Sequence, residues 1–390
     1  MSDASPRKKI VLLGSTGSIG RNTLDVVRHY AGHFEVVALA AHSNADLLAD
    51  QVREFNPRYV AMANPAAADR LRTLCPGVHI GAGPESLEHA ASLDTDVVLC
   101  AIVGAAGLPP LLAAIATGGR VAVANKEPLV MAGHLVMQRA REHGAEVLPV
   151  DSEHNAIFQC MHGHDTASVS RIHLTASGGP FYGQPRASLA RITPEEATRH
   201  PTWDMGAKIS VDSATLMNKG LEIIEAMWLF GLPESRIDVV IHPQSVVHSM
   251  VEFRDGHILA HLGVTDMKFP ILFALTYPER VEYPMNRLDL TALANLSFAA
   301  PDFSEFPCLA LARDAAAESG TAPAILNAAN EVAVAAFCRG GLPFLRISDV
   351  VAQSRAACGA AQSFDLDAVL EADAMARRKA EELARKLGSD

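Results

Sequence analysis

The chain has 390 residues, of which 49% are hydrophobic and 20% charged, and its formal net charge is −11. This length predicts two or three domains, and the acidic balance excludes a surface built generally to bind nucleic acid. The six cysteines form no CxxC pair, which argues against a disulfide framework or a thiolate metal site and predicts a cytoplasmic protein.

The first nine residues, "MSDASPRKK", run straight into an apolar strand. They leave no room for a signal peptide, and no apolar run reaches the roughly 18 residues of a membrane span. We therefore expect an unprocessed protein with no membrane partner.

Apolar strands and helices alternate through the first 150 residues. A strand from Ile10, a glycine turn, a helix to about Tyr30 and a strand over residues 34–41 open the series. Such alternation is typical of a parallel sheet covered on both faces, so residues 1–150 are predicted to form a doubly wound, Rossmann-like α/β domain. Further strands are predicted near residues 59–63, 79–83, 96–102, 120–125 and 146–151, with helices over 65–74 and 108–117.

The turn "GSTGSIG" places Gly14, Gly17 and Gly20 between the first strand and the first helix. Backbone N–H groups at such a helix start can hold a dinucleotide pyrophosphate. The spacing is GxxGxxG rather than GxGxxG, so a tight turn without a ligand is the alternative interpretation.

The second strand ends in "AAHSN", which supplies His42, Ser43 and Asn44 but no carboxylate. An NAD site usually carries Asp or Glu there for the ribose hydroxyls, and a carboxylate would repel a 2′-phosphate. The sequence therefore favours NADP(H).

The pattern changes after Asp151. Polar motifs separated by strands over residues 168–177, 238–243, 246–253 and 257–263 predict a central α+β domain over 151–284. Residues 285–307 lack periodicity and are predicted to be a connector. Helical patterns beginning near residues 308, 323 and 369 predict a small C-terminal helical domain over 308–390.

Carboxylates occur in two of the polar motifs of this central region. Asp151 and Glu153 lie where a strand ends and a helix begins, although helix capping explains them equally well. A strand is predicted over residues 209–212, with Ser213 as the N-cap of the following helix. Asn218, Lys219 and Glu222 would share one face of that helix, for which the alternative is a solvated face.

Gly220 counts against the solvated face, because glycine inside a helix costs about 1 kcal/mol relative to alanine. Asp151, Glu153 and Glu222 would together form an all-oxygen site suited to Mg²⁺ or Mn²⁺. Ser213, Asn218 and Lys219 could hold a substrate phosphate.

Three further motifs have both a functional and a structural interpretation. Ser177 in "TASGGPF" could meet an anion or simply end a strand in a glycine turn. The segment near 200–209, "HPTWDMG" with His200 and Trp203, is predicted to be a lid, or else a structural loop. Lys126 in "VANKEPLV" could neutralise an oxyanion, or belong to a capping cluster before Pro128.

Taken together, "GSTGSIG", "NKE", "DSEHNAIFQ", "TASGGPF", "HPTWDMGAKISVDSATLMNKGLEIIEA" and "PQSVVHSMVEF" closely resemble the 1-deoxy-D-xylulose 5-phosphate reductoisomerase family. The resemblance runs from about Ile10 into the C-terminal helices, where "NAANEVAVAAF" is also similar. It implies a homodimer of NADPH, catalytic and helical domains, with one Mg²⁺, Mn²⁺ or Co²⁺ per site. The implied substrate is a sugar phosphate of the non-mevalonate (MEP) isoprenoid pathway.

The resemblance also implies roles for individual residues. The implied metal ligands are Asp151, Glu153 and Glu222. The implied substrate-binding residues are Lys126, Ser152, Ser177, His200, Ser213, Asn218 and Lys219, beside the metal ligands Glu153 and Glu222. The implied NADPH contacts are Thr16, Gly17, Ser18, Ile19, Asn44, Asn125, Glu127 and Gly206.

Two segments depart from the family pattern, at three positions. Many members have Lys or Arg where this chain has Ser43, which bears on binding of the 2′-phosphate. The predicted lid has Asp204 and Ala207 where relatives often have Ser or Asn and Arg.

Two other functions are compatible with parts of the pattern. An NADP-dependent semialdehyde dehydrogenase would need a nucleophilic cysteine, and Cys160 lies in an apolar helix pattern. A protein that senses NADP(H) without turnover would not need three converging carboxylates. Metal-dependent consumption of NADPH separates the enzyme from the sensor.

Overall fold

The computed structural model of the chain describes residues 7–199, 203, 206–293 and 295–389. The described residues form two compact units. The first contains the described residues up to Pro128 together with Val136–Ser152 and Met267–Tyr283. The second contains Leu129–Leu135, Glu153–Asp266 and the described residues from Pro284 onward. The predicted domain boundaries at 150, 284 and 307 stay a prediction.

Strands and helices alternate along the first part of the chain. They are β1 (Lys8–Leu13), α1 (Ser18–His29), β2 (Phe34–Ala41), α2 (Ala45–Phe55), β3 (Tyr59–Met62), α3 (Pro65–Leu74), β4 (Ile80–Ala82), α4 (Pro84–Ala91), β5 (Val97–Cys100), α5 (Leu108–Ala116), β6 (Arg120–Val123), α6 (Glu127–His143) and β7 (Glu146–Pro149).

The remainder of the chain is richer in helix. Its elements are α7 (Ser152–Met161), β8 (Val169–Ala176), α8 (Pro194–Ala197), α9 (Ala207–Ala214), α10 (Met217–Phe230), β9 (Ile237–Ile241), β10 (Val247–Phe253), β11 (Ile258–Leu262), α11 (Lys268–Thr276), α12 (Pro307–Glu318), α13 (Ala322–Cys338), α14 (Arg346–Cys358) and α15 (Leu366–Gly388).

The first unit is built on a parallel sheet with the strand order β4-β3-β2-β1-β5-β6-β7. The order reverses between β1 and β5, and ligands of doubly wound sheets bind at such a switch point, beyond the carboxyl ends of the strands. The central strand β1 is buried from Ile10 to Leu13, as strands covered on both faces are. The predicted doubly wound fold is confirmed.

The second unit contains a mixed sheet with the order β11-β10-β8-β9. Strand β10 runs antiparallel to both β11 and β8, whereas β8 and β9 are parallel. Helices α9, α10 and α12 to α15 contribute buried residues of this unit. The predicted α+β character and the helical C-terminal region are confirmed.

One predicted element is wrong. Residues 209–212 were predicted as a strand with Ser213 as an N-cap, but all of them lie inside α9, and α10 begins after Leu216 in a left-handed conformation (φ 58°). Ile209 and Val211 are β-branched and favour strands in isolation. Val211 is fully buried in the hydrophobic core, and this tertiary packing overrides the local preference.

Residues 284–293 and 295–306, in the region of the predicted connector, form neither helix nor strand apart from a β-bridge between Ala299 and Ile241. Among the described residues, no helix is both long enough and apolar enough to cross a membrane.

Candidate functional site

The glycine turn after β1 requires two of its three glycines. Gly14 adopts φ +90°, and a Cβ atom there would lie 2.4 Å from the backbone oxygen of Ala101. A Cβ on Gly20 would lie 2.3 Å from the backbone oxygen of Gly14. The turn therefore packs against itself and against the segment after β5, with no space for side chains at these two positions.

Helix α1 begins beyond this turn with Gly17 as its N-cap and without a side-chain cap. Gly17 is exposed, and Thr16, Ser18 and Ile19 are partly exposed. The first N–H groups of a helix have no acceptor within the helix and carry the positive end of its dipole. The predicted NADPH contacts thus lie at a helix start that can accept an anion.

The segment after β2 has the predicted polar character. His42, Ser43 and Asn44 are all exposed, and Asn44 accepts a hydrogen bond from the backbone N–H of Leu47 at 3.2 Å. Asn44 is therefore the N-cap of α2. The position at which NAD enzymes usually carry a carboxylate is thus occupied by exposed imidazole, hydroxyl and amide groups.

Asn125, Lys126 and Glu127 follow β6 and are all buried. The Nζ atom of Lys126 lies 2.6 Å from a carboxylate oxygen of Asp151, which follows the neighbouring strand β7. Lys126 is the N-cap residue of α6, but its side chain makes no capping hydrogen bond. The motif thus stands at a helix start, as the capping interpretation expects, but the ammonium of Lys126 is paired with a carboxylate across the strand ends.

The second unit contains a buried ammonium between two carboxylates. Lys219 Nζ donates to Glu153 Oε1 at 2.7 Å and to Glu222 Oε2, while Asn218 Nδ2 donates to Glu222 Oε1 at 2.5 Å. Lys219 is 3% exposed and Glu222 is 1% exposed. The solvated-face interpretation of this part of α10 is therefore wrong.

The two carboxylates hold Lys219 in its charged form. Burial lowers the pKa of Lys219, but attraction by Glu153 and Glu222 outweighs burial, and the net pKa of the ammonium is raised. The carboxylate oxygens of Glu153 and Glu222 lie within 4.8 Å of each other. Oxygen ligands brought together in this way are the type that a hard divalent cation prefers.

His154 holds these two helices together. Its Nε2 atom lies 2.9 Å from the backbone oxygen of Glu222 and must donate to it, while Nδ1 lies 3.5 Å from Glu225. His154 and Glu225 are fully buried. This contact fixes α7, which carries Glu153, against α10, which carries Glu222. Neither residue was predicted from the sequence, in which the only signal is their position beside the acidic motifs.

Gly220 allows a close approach between helices. A Cβ atom there would lie 2.4 Å from the Cβ of Ala312 on α12. Glycine is therefore required on the face of α10 that packs against α12.

Ser177 begins the glycine turn that follows β8. Its Oγ atom accepts a hydrogen bond from the N–H of Gly179 at 3.1 Å, and Gly178 and Gly179 have positive φ. A Cβ on Gly179 would lie 2.6 Å from the backbone oxygen of Ser213. The structure therefore contains the glycine turn expected after this strand, and this turn places the Ser177 segment directly against the Ser213 segment of α9.

The predicted lid is only partly described. His200 and Asp204 lie outside the described residues. The ring of Trp203 is 6.3 Å from that of His248, and Gly206 is the exposed N-cap of α9. Residues 207–209, which include Ala207, belong to α9 and not to a loop.

Cys160 does not resemble an activated nucleophile. Burial raises the pKa of its thiol to about 11, whereas catalytic thiols are held well below their ordinary value. The semialdehyde dehydrogenase alternative therefore lacks its nucleophile at the position considered for it.

Models of known protein families match most of the chain. One described as 1-deoxy-D-xylulose 5-phosphate reductoisomerase matches residues 10–133, and the C-terminal domain of the same enzyme matches residues 147–230. A model described as the DXP reductoisomerase C-terminal domain matches residues 262–379.

Individual relatives agree with the family models. Proteins named 1-deoxy-D-xylulose 5-phosphate reductoisomerase from Ralstonia pickettii and Burkholderia multivorans are 54% and 52% identical to this chain. The alignments cover 96% of both chains in the first case and 97% of both in the second.

Solved structures give the same result. The Zymomonas mobilis reductoisomerase in complex with NADPH superposes with a TM-score of 0.91 at 44% identity, covering 98% of this chain and 100% of that one. A DOX-P reductoisomerase in complex with NADPH, fosmidomycin and magnesium gives 0.92 at 42% identity, with coverage of 97% and 99%. This chain belongs to the 1-deoxy-D-xylulose 5-phosphate reductoisomerase family of enzymes.

Proposed function

We propose that the chain catalyses the NADPH- and divalent-metal-dependent rearrangement and reduction of 1-deoxy-D-xylulose 5-phosphate to 2-C-methyl-D-erythritol 4-phosphate. This reaction is a step of the non-mevalonate (MEP) isoprenoid pathway, and we place the enzyme in the cytoplasm as a homodimer. The observation that carries the proposal is the buried ammonium of Lys219 between Glu153 and Glu222, together with membership of the family.

A divalent cation fits the two carboxylates of the second unit. Oxygens bound to one Mg²⁺ at about 2.1 Å are at most about 4.2 Å apart, and those of Glu153 and Glu222, which lie within 4.8 Å, would need to approach by no more than about 0.6 Å. Asp151 is separated from Glu153 by one residue, which limits their Cα distance to about 7 Å. We assign Asp151, Glu153 and Glu222 as ligands of Mg²⁺ or Mn²⁺, with Co²⁺ as a further candidate.

When bound, such a cation supplies Lewis-acid chemistry, which makes a ketone more electrophilic and a neighbouring hydroxyl more acidic. Lys219, whose ammonium lies between Glu153 and Glu222, is assigned to the substrate phosphate. Lys126, whose ammonium pairs with Asp151 at 2.6 Å, is assigned to the neutralisation of an oxyanion of the substrate.

The phosphate is assigned to residues that the second unit brings together. The Ser177 turn packs against Ser213, and Asn218 and Lys219 share the first turn of α10. Phosphate binding is remote from the bonds that change, so its energy can be used to orient the carbon skeleton. Ser152 and His200 complete the proposed substrate-binding set.

Seven of the eight residues that we assign to NADPH belong to the first unit, and Gly206 belongs to the second. NADPH supplies the hydride. The helix start at Thr16, Gly17, Ser18 and Ile19 offers backbone N–H groups to the pyrophosphate. Asn44, with Ser43 beside it, faces the 2′-phosphate, and a neutral, exposed strand end is compatible with that charge. The remaining proposed contacts are Asn125, Glu127 and Gly206.

The reaction balances with one reductant. A carbon–carbon bond of the ketose phosphate breaks and another forms, which gives an isomeric aldehyde. The aldehyde carbon accepts hydride from NADPH and its oxygen accepts a proton, so that one NADP⁺ and one branched polyol phosphate appear per turnover.

The test is loss of NADPH absorbance with 1-deoxy-D-xylulose 5-phosphate, measured with Mg²⁺ or Mn²⁺ and after addition of a chelator. We expect oxidation that requires both the sugar phosphate and the metal, with a branched polyol phosphate identified by mass spectrometry. A folded protein that binds NADPH but does not oxidise it under these conditions would instead be the NADP(H) sensor.

A further inference from the structure

A buried polar contact connects α13 to α9 within the second unit. Asn330 Nδ2 on α13 donates to Asp212 Oδ1 on α9 at 2.8 Å, across 118 residues of sequence. Asn330 is 0% exposed and Asp212 is 1% exposed. The second carboxylate oxygen of Asp212 lies 2.8 Å from Lys208 Nζ, one turn earlier in α9. The two oxygens of Asp212 therefore have different partners, one on its own helix and one on α13.

The amide of Asn330 is costly to bury. Its Oδ1 atom has no hydrogen-bond partner among the described residues. A buried polar atom without a partner destabilises the folded state, so an apolar residue would serve helix packing better. What this amide provides is the hydrogen bond to Asp212.

Asp212 immediately precedes Ser213, one of the residues assigned to the substrate phosphate. Gly179 of the Ser177 turn lies so close to the same segment that a Cβ would be 2.6 Å from the Ser213 backbone oxygen. Two neighbouring residues of α9 are thus in contact with the amide on α13 and with the Ser177 turn. A displacement of α9 would move Ser213 and disturb that turn.

We propose that Asn330 is a positioning residue for the sugar-phosphate site, acting through Asp212 on Ser213 and Ser177. This inference rests on the proposed function. Displacements of about 1 Å at a binding site can reduce catalytic efficiency by up to about 100-fold. Loss of the Asn330 contact should therefore weaken binding of the phosphate rather than of NADPH.

The experiment compares Asn330→Ala with Asn327→Ala. Asn327 lies one turn earlier on α13, is also 0% exposed, and also has an Oδ1 atom without a partner among the described residues. Its Nδ2 atom donates at 3.1 Å to Glu331 of the same helix, and not to α9. Both variants lose one buried amide, so both should lower the Tm.

Only Asn330→Ala should raise the KM for 1-deoxy-D-xylulose 5-phosphate, by roughly 10- to 100-fold, with kcat and the KM for NADPH changing less than threefold. Competitive inhibition by inorganic phosphate should weaken in parallel. The same shift in both variants would indicate a merely structural role, and an unchanged KM in Asn330→Ala would equally overturn the proposal.

Asn330→Ser and Asn327→Ser form a milder matched pair in case the alanine variants do not fold. The shorter serine hydroxyl should not reach Asp212, so the same selective rise in KM is expected and its absence counts against Asn330. Wild-type turnover is read separately. A wild-type protein without metal-dependent NADPH oxidation would refute the proposed function, whereas an active one with an insensitive Asn330 refutes only the positioning role.

Discussion

The glycine turn of the first unit and the carboxylate cluster of the second are built in different ways. The turn uses residues adjacent in sequence, and its key feature is the absence of side chains at Gly14 and Gly20. The cluster joins the buried ammonium of Lys219 to the partly buried carboxylate of Glu153, 66 residues away. A cofactor site formed by backbone groups requires that no side chain fills it, whereas a site formed by charged side chains requires that opposite charges remain paired. An added methyl group should therefore disrupt the first, and loss of one charge the second.

The largest effect is expected from Lys219→Met, which removes the ammonium between the carboxylates. We expect kcat/KM to fall about 1,000-fold, since truncating one partner of a buried charged contact typically costs about 2–5 kcal/mol. The metal-free variant should also be destabilised, because the buried carboxylate of Glu222 and the partly buried one of Glu153 lose their partner. Added Mg²⁺ should raise its Tm more than that of the wild type, and steady-state kinetics and thermal unfolding measure both effects.

NADPH binding by Lys219→Met should remain at the wild-type level, because the glycine turn is untouched. A variant that turns over normally would show that the ammonium has no part in the reaction.

The second largest effect is an acid sensitivity of the second unit that comes from His248. Burial, followed by repulsion from His261 and His242, lowers the pKa of this histidine to about 4. The unfolded chain has an ordinary value of about 6.5, so between these pH values it binds a proton that the folded state does not. The contribution of His248 to the free energy of unfolding is therefore fully present above about pH 6.5. As the pH falls towards about 4, the free energy of unfolding decreases by roughly 3 kcal/mol.

His248→Gln should flatten this part of the stability profile, measured by urea unfolding at a series of pH values. If the free energy of unfolding falls equally with decreasing pH in the variant and in the wild type, groups other than His248 cause the decrease.

A moderate effect is expected from Gly20→Ala, which tests space in the first unit. The added methyl group would meet the backbone oxygen of Gly14 at 2.3 Å, and such overpacking usually costs about 1–3 kcal/mol. We expect the Kd for NADPH to rise by roughly 10- to 100-fold, as measured by fluorescence titration.

Gly32→Ala is the matched control within the same unit, because a Cβ there meets nothing within 4 Å. It should leave NADPH binding unchanged. Equal losses in the two variants would mean that close packing of the turn does not govern cofactor binding.

The smallest effect is expected from Gly220→Ala, which tests space in the second unit. The clash with Ala312 at 2.4 Å is partly offset by the better helix propensity of alanine, so a net loss of about 1–2 kcal/mol is expected. The double variant Gly220→Ala/Ala312→Gly should recover most of it in urea unfolding. If the double variant instead loses the sum of the free energies of unfolding lost by the two single variants, the clash with Ala312 is not the cause of the destabilisation.

The alternation of the first unit could be predicted from sequence because its strands are apolar runs bounded by turns. The predicted helix over residues 65–74 coincides with α3, and the strand over 34–41 coincides with β2. These signals are local. The strand predicted at Ile209–Asp212 was wrong because burial of Val211, and not its β-branched side chain, decides its structure.

The site could be predicted only in part. The residue types around Glu222 indicated polar chemistry, but its burial depends on contacts with α7 and α12 that no local pattern encodes. The contact of Asn330 with Asp212 spans 118 residues and leaves no trace in helical periodicity. Such long-range polar contacts can be identified only from the folded structure.

The carboxylates around Lys219 are proposed to form a divalent cation site. Binding of Mn²⁺ to the metal-free protein tests this site, because the EPR signal of free Mn²⁺ reports how much of the ion is bound. Wild-type protein and Glu222→Gln are compared, with Glu252→Gln as the control, because Glu252 pairs with His173 outside the cluster. We expect one Mn²⁺ site per chain, with the wild-type affinity in Glu252→Gln. In Glu222→Gln the Kd for Mn²⁺ should rise at least tenfold, which corresponds to roughly 1.4 kcal/mol for the loss of one charged contact. Equal Mn²⁺ affinity in all three proteins would contradict the proposed site.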